Sequence, residues 1–90
     1  MISYLSGTVK FKGSTNITLL TNGVGYKVTV PSSILASSLP DHPIELMIHT
    51  HVKEDALDLY GFSDAESLTL FELFLGVSGI GPKTAMNIFS

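Results

Sequence analysis

Apolar and polar residues alternate in short runs along the first part of the chain and then give way to a helical stripe. Ile2, Tyr4, Val9 and Phe11, set among polar partners, predict a first strand, and Ile17 to Leu20 a second. Asn22-Gly23 follows directly, the dipeptide that suits a two-residue hairpin turn. Gly25-Tyr26-Lys27-Val28-Thr29-Val30 alternates cleanly and predicts the third strand. Pro31-Ser32-Ser33 breaks the pattern and opens a loop or short helical turn around Ile34 and Leu35, which Pro40 to Pro43 closes. Ile44 to Val52 predicts a long fourth strand and Ala56 to Phe62 a fifth.

After Phe62 the period changes, so the chain divides into a strand-rich unit, 1–62, and a helical segment, 63–90. Ser63-Asp64-Ala65-Glu66 has the form of a capping box, with Ser63 capping an early N–H and Glu66 reaching back, and a helix is predicted from Asp64. Leu68, Leu70, Phe71, Phe74 and Leu75 give it an apolar stripe wider than packing on one small barrel requires, which predicts a further partner for that face. Five short strands with a small helix among them fit a closed barrel of the oligonucleotide-binding (OB) kind, and the spacing alone also fits other small barrels.

Gly79-Ile80-Gly81-Pro82-Lys83-Thr84-Ala85 interrupts the helical segment. Glycines on either side of one apolar residue allow a sharp turn through conformations that a Cβ would forbid, and leave amide N–H groups pointing outward. Pro82 suits the first position of a following helix, whose start favours an anion. The pattern makes Gly79, Gly81, Lys83 and Thr84 candidate phosphate ligands: Lys83 is the one base in the hairpin, and Thr84 adds an amide near the helix start. A Walker loop beginning at Gly76 fails because Pro82 stands where Lys is needed, and a dinucleotide fingerprint fails because Thr84 stands where the third glycine belongs. The plain alternative is a tight turn between helices with no ligand. Leu73, Phe74, Leu75 and Val77 precede the turn and Ala85, Ile88 and Phe89 follow it, and this longer pattern resembles the helix-hairpin-helix motif of DNA repair and recombination proteins. In that motif hairpin amides hold backbone phosphates without reading sequence, in keeping with the rule that phosphate contacts position and base contacts specify.

Ninety residues accommodate one small domain, or one of about sixty residues with a fragment of a second, and the core of so small a unit is marginal. The chain has no cysteine, hence neither a disulfide nor a thiolate zinc site, which suits a reducing cytoplasm. Met1-Ile2-Ser3-Tyr4 opens with no basic stretch or long apolar run, so neither a signal peptide nor a membrane span is predicted and a soluble cytoplasmic protein is expected. Five lysines, no arginine and eight acids give a net charge of −3, which argues against a protein that coats nucleic acid indiscriminately. It argues less against a hairpin whose donors are main-chain amides, although one such hairpin is expected to bind weakly. His49 and His51 share a strand face without a third ligand at a telling spacing, so no metal or other cofactor is predicted. Asp41-His42 and the scattered hydroxyls form no triad, and the chain reads as noncatalytic. Tyr60 and Phe62 are expected to pack the barrel against the helix.

Barrel and hairpin in this order narrow the reading. Met1-Ile2 with Leu5 and Gly7, Asn22-Gly23-Val24-Gly25-Tyr26, Lys53-Glu54-Asp55-Ala56, Leu59-Tyr60-Gly61-Phe62 and Gly79-Ile80-Gly81-Pro82-Lys83 together resemble the amino-terminal part of the RuvA family of bacterial Holliday junction branch-migration proteins, over essentially the whole chain. The resemblance implies an all-β five-stranded OB-fold barrel, 1–62, that assembles as a homotetramer, followed by the first helix-hairpin-helix motif, 63–90, of an incomplete middle domain. It implies a role in homologous recombination, DNA repair and the SOS response, with four-way junction DNA as ligand. The RuvB hexameric ATPase and the RuvC resolvase would be partners through the full-length protein, and ATP hydrolysis would be RuvB's. A second hairpin and a motor-binding domain would lie outside these residues, making the chain a piece of a longer protein. Glu54 and Asp55, which by themselves read as a solvated turn, would form an acidic pin at the junction centre. Such carboxylates repel phosphate, costing affinity while favouring an open junction.

The chain departs from the family in its bases. Gly13-Ser14-Thr15-Asn16 carries none, and without arginine only Lys10, Lys12 and Lys27 stand in on the barrel. Two other classes stay open: a structural or oligomerisation module whose hairpin merely packs, and a fragment of another helix-hairpin-helix repair enzyme such as a glycosylase or ligase.

Overall fold

The computed structural model describes residues 1–89, so Ser90, the last residue of the predicted helical segment, lies outside the described residues. The elements are β1 (Tyr4–Lys12), β2 (Asn16–Thr21), β3 (Val24–Thr29), α1 (Ser32–Ser37), β4 (Pro43–Val52), β5 (Leu57–Phe62), α2 (Ala65–Leu75) and α3 (Pro82–Asn87). Asn22 and Gly23 take φ of 49° and 83°, the two left-handed residues of a tight hairpin, and so pair Thr21 with Val24. The strands close in the order β1-β2-β3-β5-β4, with β1 paired to both β2 and β4 and a short parallel ladder joining β3 to β5. This is the expected five-stranded OB-type barrel, and short helices follow it.

The first strand corrects the predicted pattern. Its core residues are Leu5 and Val9, whereas Tyr4 and Phe11 are exposed. The register slips between Val9 and Phe11, and the extra residue of this bulge turns Phe11 outward. Tyr4 instead donates its phenol to the Glu45 carboxylate on β4 at 2.7 Å. Inside the barrel Leu5 and Val9 meet Ile17, Leu19, Val28, Leu46, Ile48 and Leu59.

β5 is buried on both sides. Leu59 belongs to the barrel core, while Tyr60 and Phe62, on the opposite face, form a second core with Phe71 of α2 and with Ala85 and Met86 of α3. The Phe71 ring lies 5.4 Å from Tyr60 and 5.0 Å from Phe62, and Phe62 also meets Phe89 at 5.2 Å. Between them the packing leaves no room for a side chain at Gly61: a Cβ there would stand 2.7 Å from Val28 and 3.0 Å from Leu46. Glu72 on the same helix accepts from His49 of β4 at 2.8 Å, a polar tie beside the aromatic one.

The predicted apolar stripe of α2 divides in the structure. Phe71 is fully buried and Leu68, Phe74 and Leu75 are partly so, but Leu70 and Leu73 face solvent. The cap also differs from the predicted box: Asp64, not Ser63, stands at the N-cap and accepts from the Ser67 N–H at 2.7 Å. Asp and Ser serve almost equally there, and the extended backbone of Asp64 decides between them.

That N–H holds the Asp64 carboxyl below its ordinary value of 3.8. A depressed carboxyl stabilises the fold fully above the ordinary value and loses its contribution as pH falls through the depressed one. The helical circular dichroism of the wild type is therefore expected to decline on the acid side of pH 3.8. Asp64→Asn, which keeps a cap without a charge, should flatten that limb; an unchanged acid limb in the variant would remove Asp64 from its origin.

Candidate nucleic-acid interface

The turn between α2 and α3 is built by short backbone bonds, Val77 N–H to Phe74 at 3.0 Å and Ile80 N–H to Val77 at 3.1 Å. Ile80 packs against the Phe71 core and anchors it. The two glycines then differ. Gly79 has φ of +85°, which a side chain would strain, as predicted. Gly81 does not: at φ −94° and ψ 176° it is ordinary extended backbone, and a Cβ there would meet nothing within 4 Å. Gly81 is the N-cap of α3, with Pro82 in the first turn, and no side chain caps that helix. The N–H groups of Lys83 and Thr84 at this uncapped start have no earlier helical carbonyl to bond.

Gly81, Pro82, Lys83 and Thr84 line one wall of a concavity of about 240 Å³ whose other wall is Lys53 and Tyr60. Gly79 stands outside this lining, on the turn itself. A larger hollow of about 480 Å³ runs beside it, with Ser14 and Thr15 of the β1–β2 turn, Thr29 of β3, and Lys83 and Asn87 of α3 among its walls. In OB barrels the β1–β2 and β4–β5 loops are the usual nucleic-acid contacts, and here residues from both face α3. Tyr60 lines both hollows. Burial, and secondarily the charge of Asp58, push its phenol up, so at neutral pH it remains a hydrogen-bond donor.

Glu54 and Asp55 sit at the exposed tip of the β4–β5 turn, which the Lys53 N–H closes onto the Ala56 carbonyl at 2.8 Å. Among the described residues neither carboxylate has an ion-pair partner. Lys53 does: its Nζ lies 3.1 Å from Asp58, whose hydrogen bond and charge raise the lysine above its ordinary value. Sequence reasoning passed over Lys53, Asp58 and Tyr60 as parts of a site. A hairpin turn at 53–56 was the available signal, since it folds Asp58 back beside Lys53. The His49 and His51 rings lie 6.3 Å apart on one face, with Glu72 bonded to His49. Among the described residues no three such groups gather to hold a metal ion, and no helix is long and apolar enough to cross a membrane.

Comparison with known proteins places the chain in a family. Residues 1–61 match the family model described as "RuvA N terminal domain". Over its whole length the chain is 49% identical to "Holliday junction branch migration complex subunit RuvA" of Halothermothrix orenii, covering 46% of that protein. It is 47% identical to the protein of that name from Geobacter sp. (strain M21), and 45% identical to that of Thermus thermophilus, again spanning the chain and 46% and 47% of those relatives. The chain thus spans about half the length of the curated relatives it matches.

The glycines should separate in thermal unfolding. Gly79→Ala is expected to cost about 1–2 kcal/mol, the penalty of a left-handed L-residue. Gly81→Ser should leave stability unchanged or slightly raised, because serine caps a helix better than glycine. Equal losses at both positions would contradict the geometry.

Proposed function

The chain belongs to the RuvA family through its amino-terminal domain, and from that premise we propose that it binds four-way junction DNA as part of a Holliday junction branch-migration complex in recombination and repair. Residues 1–62 act as the barrel domain and 63–90 as the first helix-hairpin-helix motif of a middle domain. The amides near Gly79 and Gly81, with Lys83 and Thr84, hold a backbone phosphate. Glu54 and Asp55 stand at the junction centre as the repelling pin, a role favoured by their exposure without cationic partners among the described residues. The chain itself carries out no chemistry. It acts in the cytoplasm as one subunit of a homotetramer; the RuvB ATPase supplies ATP hydrolysis, and the RuvC resolvase meets the complex through the rest of the protein.

The observation that carries this reading is Gly81. The fold gives no reason for glycine there, since the backbone is extended, the space is open, and Ser or Asp would cap α3 better. Glycine at such a point leaves the N–H groups of Lys83 and Thr84 open to close approach by a ligand. It favours DNA binding over a hairpin that merely packs, for which the bare position would serve nothing.

Binding of labelled four-way junction and of duplex of equal length, at low salt, tests it. The junction should bind more tightly than duplex, and Gly81→Asp should weaken junction binding by about ten- to a hundredfold, the worth of one or more charged hydrogen bonds. The variant keeps a good N-cap, so its fold should persist. Glu54→Gln with Asp55→Asn should tighten duplex binding and narrow the preference for the junction. No binding, or equal binding of junction and duplex that Gly81→Asp leaves unchanged, would leave the oligomerisation module as the better account.

A further inference from the structure

We propose that Asp58 holds Lys53 in reserve for a phosphate: on binding, the Lys53 ammonium exchanges the Asp58 carboxylate for a backbone phosphate seated between the β4–β5 turn and the 81–84 segment. Barrel and hairpin then grip one phosphate together. The inference rests on the DNA-binding function proposed above and adds to it a barrel residue and its competitor.

Three observations converge on the exchange. First, Lys53 lines the concavity opposite Lys83, so two of the chain's five lysines border one hollow of about 240 Å³. That is several times the roughly 30 Å³ share of a water molecule, room for a phosphate and some of its hydration. Second, Asp58 lies outside that lining although it is bonded to Lys53 at 3.1 Å. The two side chains are 49% and 40% exposed, and a solvated pair of this kind is weak and easily traded. Third, the carboxylates around this turn are not equivalent. Asp58 takes the lysine, while Glu54 and Asp55 have no cationic partner among the described residues. The protonated Tyr60 phenol on the same wall adds a neutral donor.

The arrangement has a consequence for selectivity. A lysine already paired is a poor lure for stray anions. A phosphate that also reaches the amides and ammonium of Lys83 has contacts that the Asp58 carboxylate lacks, and it can displace that carboxylate where a lone anion does not.

A double-mutant cycle over Lys53→Gln, Asp58→Asn and their combination, read by anisotropy of a fluorescein-labelled four-way junction at several salt concentrations, tests the exchange. Both side chains are exposed, and thermal unfolding of each variant verifies that the fold is kept. Lys53→Gln should weaken binding roughly tenfold and reduce the slope of log affinity against log salt by about 0.9. Asp58→Asn alone should strengthen binding about threefold, the scale of a surface ion pair. In the Lys53→Gln background that gain should largely vanish. An equal gain in both backgrounds would reduce Asp58 to general repulsion and overturn the exchange. So would a Lys53→Gln variant with wild-type affinity and slope, and if Gly81→Asp still abolished binding the junction reading would stand without it. Should the protein bind neither DNA, or bind junction and duplex equally with no effect of Gly81→Asp, the junction reading itself fails and the exchange falls with it.

Discussion

β5 is the element on which the molecule turns, because one six-residue strand serves two hydrophobic cores. Leu59 fills the barrel, Tyr60 and Phe62 receive Phe71, and Gly61 between them keeps the wall thin enough for both to form. The same strand closes the barrel through its parallel pairing of Leu59 with Val28 and Tyr60 with Thr29. Barrel closure and helix docking thus share one strand. A small barrel alone has a marginal core. A buried ring such as Phe71 is worth about 3–5 kcal/mol against truncation to alanine, a large part of the roughly 5–15 kcal/mol by which a domain is stable. The hairpin is therefore held against the barrel by buried aromatic surface and not by the chain connection alone. That is why the walls of the smaller concavity come from both units.

Most of this frame was legible because it is local. Period-two alternation marked the strands, Asn22-Gly23 marked the one turn that needs two left-handed residues, and the aromatic pair Tyr60 and Phe62 marked where the helix packs on the barrel. The failures also have local causes. A bulge between Val9 and Phe11 turns Phe11 outward, and the sequence there contains no glycine to announce it. Ser63 and Asp64 are adjacent and both competent caps, so the choice rests on a backbone angle.

The site was legible in composition and not in geometry. Gly79 and Gly81 are alike as letters, yet only Gly79 needs a left-handed backbone, and the proposed function turns on that distinction. Two ion pairs escaped notice for different reasons. Lys53 with Asp58 spans a hairpin whose register had to be known, and His49 with Glu72 joins residues 23 apart on separate elements. Pairing at that range leaves no trace in periodicity.

An acidic chain that binds a polyanion must succeed locally, and screening makes this feasible. At physiological ionic strength exposed charges more than about 8 Å apart scarcely feel one another, so the net charge of −3 matters less than what surrounds a single phosphate. On the proposed reading, attraction and repulsion sit side by side: Lys53 borders the concavity, and Glu54 and Asp55 follow it directly on the turn. A phosphate entering between Lys53 and Lys83 is favoured, whereas one carried onward over the turn tip meets two carboxylates. A backbone that runs straight pays for its first contact with the second, and one that bends away after the first does not. Discrimination then comes from the path of the backbone, with no base contact, which is the property a protein needs to recognise a junction of any sequence.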